Sequence, residues 1–521
     1  MTNRNVDRIT IPDHLLARLS EYVSEHIGLY FPLKRRDVLH DKILLVSKEY
    51  GFNDAESCIH WLLSSPLTQE QIETLSSFLT IGETHFYRDK RIYDELENHI
   101  LPELINIRNK TGKHLKIWSA GCSSGEEPYS IAILLHKMIP DITEWNISIL
   151  ATDINPGVLR KAAEGIYKKW SFRDTPEWVT EGYFLKARDG CYTIKPVVKN
   201  MVSFSYHNLA KDPFPSLVNN TTAIDMIFCR NVIMYFRSQL AKRIINRFYR
   251  SLLNGGLLVV SGSEGYLVHR SRFVTVTLPD AIFFRKDLSK PGEPEKYPEE
   301  AIEPVYQDNP SDDSGIFPEI TVTFPDHPFS VSTIETAGNE PENLKTTETT
   351  EKNSEPLREA TVLYDQGNYP EAEDILTKYL SDDQQNHEAI SLLAKACSNQ
   401  GKFGKAIELC RKEIETDKCN QASHYLLALI YQEQGNIEKA ISSLYNSIYL
   451  DPNHVLSHYT LGIIFYRQGK FNKAKNYFNN ALSILDMLDK EEILPESDGI
   501  SAGRLSAVIR FKTGMQKATD K

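Results

Sequence analysis

The sequence predicts a multidomain chain: an all-α N-terminal domain, an α/β domain with a small β insertion, an acidic linker without a core, and a C-terminal α-solenoid. Three observations carry this. From about 112 to 286, apolar β-branched runs alternate with helix-period stretches, the signature of a parallel sheet with helical crossovers. A glycine-punctuated segment, Ile117 to Ser130 (IWSAGCSSGEEPYS), joins the first of those runs to a helix. Gln-Gly pairs begin at 366, 400, 434 and 468, a constant period of 34 residues. A chain of 521 residues is in any case too long for a single core.

The N-terminal domain (1–85) rests on helical spacing. Leu15, Leu16, Leu19, Tyr22, Val23 and Ile27 recur on one face, as do Ile59, Leu62 and Leu63, then Ile72, Leu75 and Leu79. Between them Lys34, Arg35, Arg36, Lys42 and Lys48 form a basic cluster, which on its own reads as a solvated helix face.

In the α/β domain (86–286), strands are expected at Leu115–Ser119, Ile147–Thr152, Val202–Ser205, Ile224–Cys229 and Leu257–Ser261. A hairpin follows at Phe273–Leu278 and Ala281–Arg285 across a Pro-Asp turn. A small β-subdomain is expected at about 183–200, around Arg188-Asp189-Gly190. This pattern is Rossmann-like, and its ligand crevice lies beyond the first strand. Gly121 allows a sharp turn and close backbone approach to a ligand. Glu126 and Glu127 open the next helix, where acids suit the dipole but would repel the pyrophosphate of a dinucleotide. A cationic cofactor is favoured there, which points to S-adenosylmethionine rather than NAD. Asp153 ends the second strand, where such folds grip ribose hydroxyls; the alternative is that Asp153-Ile-Asn-Pro caps the next helix.

Net charge is −11, but residues 291–355 hold 16 acids against three lysines, so the rest of the chain sums to +2. The segment 287–355, rich in Pro, Glu, Ser and Thr, is expected to be a disordered linker extended by its own repulsion. From 356 to 487, Ala372, Ala406, Ala440 and Ala474 lie five residues past each repeat glycine, and Ala360, Ala394, Ala428 and Gly462 seven before it. Small residues at fixed offsets let paired helices approach, and the pattern resembles four tetratricopeptide repeats. Such arrays bind protein partners. Residues 488–521 form a tail or capping helix. Seven cysteines without a C-x-x-C pair argue for a reducing compartment and no metal site. The start MTNRNVDRITIPDHLL has no apolar signal core and no run of 18 apolar residues occurs, so a cytoplasmic protein without membrane insertion is expected.

Four blocks in order, Thr80-Ile-Gly-Glu-Thr-His-Phe-Tyr-Arg-Asp89, GEEPYS with ATDI, His207-Asn-Leu209, and Asp225-Met-Ile-Phe-Cys-Arg-Asn-Val-Ile-Met-Tyr-Phe236, resemble the CheR family of chemotaxis-receptor glutamate methyltransferases. The resemblance covers roughly residues 10–286. It implies a helical domain before a Rossmann-like catalytic domain, S-adenosylmethionine as cofactor with S-adenosylhomocysteine as product, and receptor glutamates as substrate. By the family pattern Thr84 and Arg88 line the cofactor and active site, and Glu126 or Glu127 faces the methionyl end. Asp153 takes the ribose, Asn208 and Leu209 flank the adenine, and Arg230 and Asn231 close the fourth strand. Tyr235 faces the transferred methyl; Arg88 and Tyr235 are the expected catalytic pair. Gly82 departs from the pattern, which has asparagine there.

The chemistry suits these residue types. A glutamate is already ionised near neutrality, so methyl transfer to it needs alignment and water exclusion rather than a general base. Arg88 could hold one carboxylate oxygen while the other attacks, and Tyr235 could orient it; the alternatives are a salt bridge to Asp89 and simple packing. The resemblance also makes Lys34, Arg35, Arg36 and Lys42 expected contacts to the acidic helical cytoplasmic domain of a chemoreceptor. The short Arg188–Gly190 loop argues against docking of a receptor's terminal peptide, and no nucleic-acid partner is expected. The repeats imply a further protein partner and recruitment to receptor arrays. Two other readings stay open: a carboxyl methyltransferase for a non-chemotaxis protein, and a cofactor-binding scaffold acting through its repeats.

Overall fold

The computed structural model describes residues 11–188, 190–290, 348–382 and 386–519. The linker expectation for 291–347 and Asp189 of the insertion lie outside the described residues.

The N-terminal periodicity folds as expected. Helices Asp13–His26, Arg36–Glu49, Ala55–Leu62 and Gln69–Leu79 bury Leu15, Leu19, Val23, Ile43, Ile59 and Leu75 in one cluster. The last helix opens with a reciprocal capping box between Thr68 and Gln71.

The central sheet has seven strands: β1 (His114–Ala120), β2 (Asn146–Asp153), β6 (Val202–Tyr206), β7 (Ile224–Phe228), β8 (Leu252–Val259), β9 (Val274–Thr277) and β10 (Ile282–Arg285). Their order is β6-β2-β1-β7-β8-β10-β9, parallel from β6 to β8, with the hairpin antiparallel at one edge. β8 starts at Leu252, ahead of the expected Leu257, because Gly255 and Gly256 sit within the strand and hide its early part from a hydrophobic pattern.

The small β-subdomain also begins earlier than expected. β3 (Ile166–Tyr167), β4 (Phe184–Lys186) and β5 (Tyr192–Ile194) form a separate antiparallel sheet in the order β3-β5-β4. A two-residue strand has no period of its own; β3 exists only because β5 offers it a partner.

Eight helices pair off in the repeats: Glu348–Asp365 with Tyr369–Asp382, His387–Asn399 with Phe403–Thr416, Gln421–Glu433 with Ile437–Leu450, and Val455–Arg467 with Phe471–Leu485. Gly367, Gly401, Gly435 and Gly469 all adopt positive φ between the paired helices (78°, 73°, 77° and 70°), which is why glycine recurs there. Ala372, Ala406, Ala440 and Ala474 are fully buried. The first helix starts at Glu348 rather than at 356 and carries Pro356 inside it. Only Glu348, Glu351, Lys352 and Glu355 among its first eight residues favour a helix, so local pattern gave that start no signal. A last helix, Ala502–Thr519, returns to the sheet.

The array packs against the α/β domain rather than standing clear of it. Lys116 of β1 forms a buried ion pair with Glu433. Arg272 donates to Asn368 at 3.0 Å, Ser216 to Asp498 at 2.8 Å, and Lys512 to the Phe204 carbonyl at 3.0 Å. Arg504, from the last helix, meets Asp212 at 2.5 Å and Gln69 at 3.0 Å and stacks over the Tyr206 ring, so it touches all three folded parts. Burial works against the Asp212 carboxylate, but Arg504 outweighs it and holds that carboxyl below its ordinary value. Its other neighbour, His207, is pushed by burial down to about 4 and is neutral. Arg504→Ala is therefore expected to strand a buried carboxylate at a cost of about 3 kcal/mol. A lowered urea midpoint of the full chain checks this; an unchanged one would remove the clamp from the account.

Candidate active site

The carboxyl ends of β1, β2, β6 and β7 face the N-terminal helices across a cavity of about 520 Å³. That is ligand-sized, and a crevice at strand ends is where open α/β sheets bind. The walls on the sheet side come from the sequence motifs, and the N-terminal helices cover the rest.

The first wall is the turn after β1. Gly121 has φ 86°, and a Cβ there would meet Val232 Cγ2 at 2.4 Å. The glycine thus answers to a neighbouring loop as well as to the cavity it lines. Gly125, at φ 91°, precedes helix Glu126–Met138, and a Cβ on it would meet Ala162 Cβ at 2.9 Å. The two acids then part. Glu127 lines the cavity, accepting from Ser119 Oγ at 2.8 Å and facing Arg230 at 3.4 Å. Glu126 does not line it; it turns away to Ser124 (2.7 Å) and Ser171 (3.1 Å), so its expected cofactor contact is corrected.

Asp153 stands at the tip of β2 and lines the cavity while accepting the backbone N–H groups of Ser123 (2.8 Å) and Asn155 (2.9 Å). Capping of helix Pro156–Glu164 falls to Asn155 instead, through Gly157 N–H at 2.8 Å. Burial pushes the Asp153 carboxyl up, against those backbone donors, and pushes Glu127 up against the pull of Arg230. Two half-buried carboxylates on one cavity, neither saturated by a cation, favour a ligand with hydroxyls and positive charge.

The segment 80–89 forms a rim. Phe86 is fully buried among Tyr167, Phe172 and Phe184, stacked on Phe172 at 5.0 Å, and Tyr87 N–H donates to Ser130 Oγ at 3.0 Å. These anchors hold Thr84 and Arg88 at the cavity. Arg88 Nη1 donates to the Glu83 carbonyl at 3.2 Å, and Asp89 is approached by Arg91 and Arg230 rather than by Arg88. Gly82 also lines the cavity; a Cβ on it would make only ordinary contacts, with Val158 at 3.5 Å and Ser123 at 3.7 Å.

The segment after β7 supplies Arg230, Asn231 and Tyr235, all on the cavity. Arg230 is an organiser more than a free contact: it donates to the Arg88 carbonyl at 2.8 Å and faces Glu127. Asn208 and Leu209 also line the cavity, yet the Asn208 amide donates to the His26 carbonyl at 2.8 Å and its Oδ1 accepts from Ala210 N–H at 3.0 Å. Its side chain joins domains. Of the four basic residues, Arg35 and Lys42 reach the cavity whereas Lys34 and Arg36 do not. Arg35 lies 5.3 Å over the Tyr235 ring. Lys42 donates to the Phe78 and Thr80 carbonyls at 2.6 and 3.3 Å, tying off the end of helix Gln69–Leu79. Its ammonium is thus spent inside the domain, which corrects its expected substrate contact.

Several functional residues were missed, Glu264 foremost. Glu264, fully buried, accepts the N–H groups of Asn231 (2.7 Å), Val232 (2.7 Å) and Met234 (3.2 Å), and so shapes the whole segment after β7. Its only sequence signal was an acid shortly after a strand. Ile27, Tyr30 and Phe31, which cover the cavity from the first helix's end, carried no signal beyond core periodicity. Glu264→Gln is expected to lower stability by about 1–3 kcal/mol and S-adenosylhomocysteine affinity by about tenfold. Thermal unfolding and calorimetric titration check the two effects separately.

Residues 82–282 match the family model described as CheR methyltransferase, SAM binding domain. Residues 420–487 match a tetratricopeptide-repeat model, and 365–447 that of anaphase-promoting complex, cyclosome, subunit 3. A chemotaxis protein methyltransferase from Borreliella burgdorferi is 33% identical over 258 residues, 49% of this chain and 89% of the relative. Chemotaxis protein methyltransferase 2 of Vibrio cholerae is 31% identical over 259 residues, 50% of this chain and 88% of the relative. Among solved structures, MamA aligns with 27% of this chain and 81% of its own at 22% identity and a TM-score of 0.25. With the four motifs converging on one cavity and relatives matched over most of their length, the chain belongs to the CheR family of S-adenosylmethionine-dependent chemotaxis protein methyltransferases, enzymes that esterify protein glutamates.

Proposed function

We propose that this enzyme methylates glutamate side chains on the helical cytoplasmic domain of a chemoreceptor, and that its repeats bring it to receptor assemblies by binding a protein partner. The observation that carries the reading is the pairing of Glu127 and Asp153, on one side of a cavity, with Arg88 and Tyr235 also on its walls.

When bound, S-adenosylmethionine supplies an electrophilic methyl group on a sulfonium. The residues present fit it. Glu127 offsets its positive end, Asp153 accepts from ribose hydroxyls, and Leu209 adds apolar surface. Arg88 and Tyr235 are the proposed catalytic residues. Burial pushes the Tyr235 phenol up, against the opposing charge of Arg35, so it stays protonated and can donate to an incoming carboxylate. Arg88, whose carbonyl is fixed by Arg230, can hold the second carboxylate oxygen. Ile27 and Phe31 exclude water from the acceptor's approach. Of the basic residues, Lys34, exposed at the rim of the N-terminal domain, and Arg35 remain suited to acidic receptor helices.

Tritium transfer from labelled cofactor to purified receptor fragments, with base-labile methanol release, tests the substrate; label in other proteins alone would favour a non-chemotaxis target. Arg88→Ala and Tyr235→Phe are expected to lower turnover by about 10²-fold while changing S-adenosylhomocysteine affinity little. Equal losses in both quantities would remove them from the chemistry. Gly82 has room for a Cβ at ordinary contact distances, and Gly82→Asn restores the family's residue, so it is expected to tighten cofactor binding by the equivalent of one hydrogen bond, about 0.5–1.5 kcal/mol. Calorimetry on the variant reads this directly.

A further inference from the structure

A second cavity, about 800 Å³, lies at the opposite ends of the same strands, between the sheet and the repeats. Its charge is one-sided. Lys116, Lys199, Arg467 and Lys512 line it against a single carboxylate, Glu433, and that carboxylate is taken by Lys116. Lys512, only 6% exposed, has a neutral partner, the Phe204 carbonyl at 3.0 Å. Lys199 likewise donates to the Glu164 carbonyl at 2.8 Å. The Arg467 side chain faces the cavity, is exposed, and makes no hydrogen bond or ion pair of its own among the described residues; Glu433, already paired with Lys116, is the carboxylate whose charge reaches it.

A cation withdrawn from bulk water is costly unless an anion joins it, and Lys512 is so withdrawn, while Lys199 is half-buried and Arg467 stays exposed to a ligand. The strain shows at Lys512, whose ammonium burial pushes down to about 7. Two more polar atoms of the lining, His114 Nε2 and Gln432 Oε1, are buried without partners. The site is thus short of both negative charge and hydrogen-bond groups.

We propose that this cavity binds a small phosphate-bearing anion, held by Arg467 as a planar fork and by Lys512 and Lys199 as point charges. The volume suits a ligand of nucleotide size, and the mixture of one guanidinium with two ammonium groups suits phosphate oxygens. Such a ligand touches the catalytic domain through Lys199, the last helix through Lys512, which itself donates to Phe204 of the sheet, and the array through Arg467, so it fastens the repeats to the catalytic domain. It does not compete for the cofactor. β2 runs from Asn146 at this cavity to Asp153 at the other, eight residues or roughly 25 Å.

The test is calorimetric titration of the full chain, with saturating S-adenosylhomocysteine present, using inorganic pyrophosphate in one arm and ATP in the other. Saturable binding of one equivalent is expected, weakened at least tenfold by Arg467→Gln and by Lys512→Met, while both variants still bind S-adenosylhomocysteine. Equal affinities in the two arms assign free phosphate chemistry, and tighter ATP binding assigns a nucleotide; either supports the site. Absence of saturable heat with both probes, equal affinity in the wild type and both variants, or binding of a polyglutamate peptide in place of both probes would overturn it. Failure to bind S-adenosylhomocysteine itself would count against the cofactor cavity alone.

Discussion

The guanidinium of Arg230 is where the catalytic end of the molecule is tied together. Its side chain is only 3% exposed, and it joins three segments remote in sequence. It donates to the carbonyl of Arg88 on the rim, faces Glu127 on the helix after β1, and lies within 4.0 Å of Asp89. A buried guanidinium needs its partners, and these partners are the cavity walls. The end of β7, the start of helix Glu126–Met138 and the segment 80–89 therefore cannot shift independently. The spacing between the proposed catalytic residues follows from that anchor together with Glu264, which holds the segment carrying Tyr235.

The acids around this anchor divide into two kinds. Glu127 and Asp153 face the cavity and keep capacity for a ligand. Glu126, Asp212, Asp225 and Glu264 face inward and hold hydroxyls, backbone or cations. Asp225, for example, accepts from Arg108 at 2.6 Å and from the Lys116 N–H at 2.8 Å. Inward carboxylates set the positions of the loops, and outward ones present chemistry. The repeat array enters this scheme through Arg504 and Asp212, since Asp212 also accepts the N–H of Asn208 at 2.6 Å. A helix from the end of the chain thus touches a loop that lines the cofactor cavity.

The fold was legible where the signal is local and periodic. Strand positions, the helical N-terminal domain and the 34-residue register all repeat often enough for their periods to stand out. β3 was not legible because it is two residues long and depends on β5. The early part of β8 was masked by its own glycines. The site was legible as a set of motifs, but less so as a set of contacts. Asn208 and Lys42 were expected to meet ligand or substrate, and both spend their polar groups on backbone carbonyls elsewhere in the chain.

By itself the sequence determined the order of domains, the repeat length, the motif set and a cavity built for a cationic cofactor, because these depend on residue type at short spacing. Tertiary structure alone decided which of two adjacent glutamates faces that cavity, since neighbours on a helix point about 100° apart. It also decided that Glu264 shapes the segment after β7, and that the repeats lie against the sheet through Lys116 and Arg504. Those choices rest on buried charges finding partners tens to hundreds of residues away, and long-range pairing leaves no trace in local pattern.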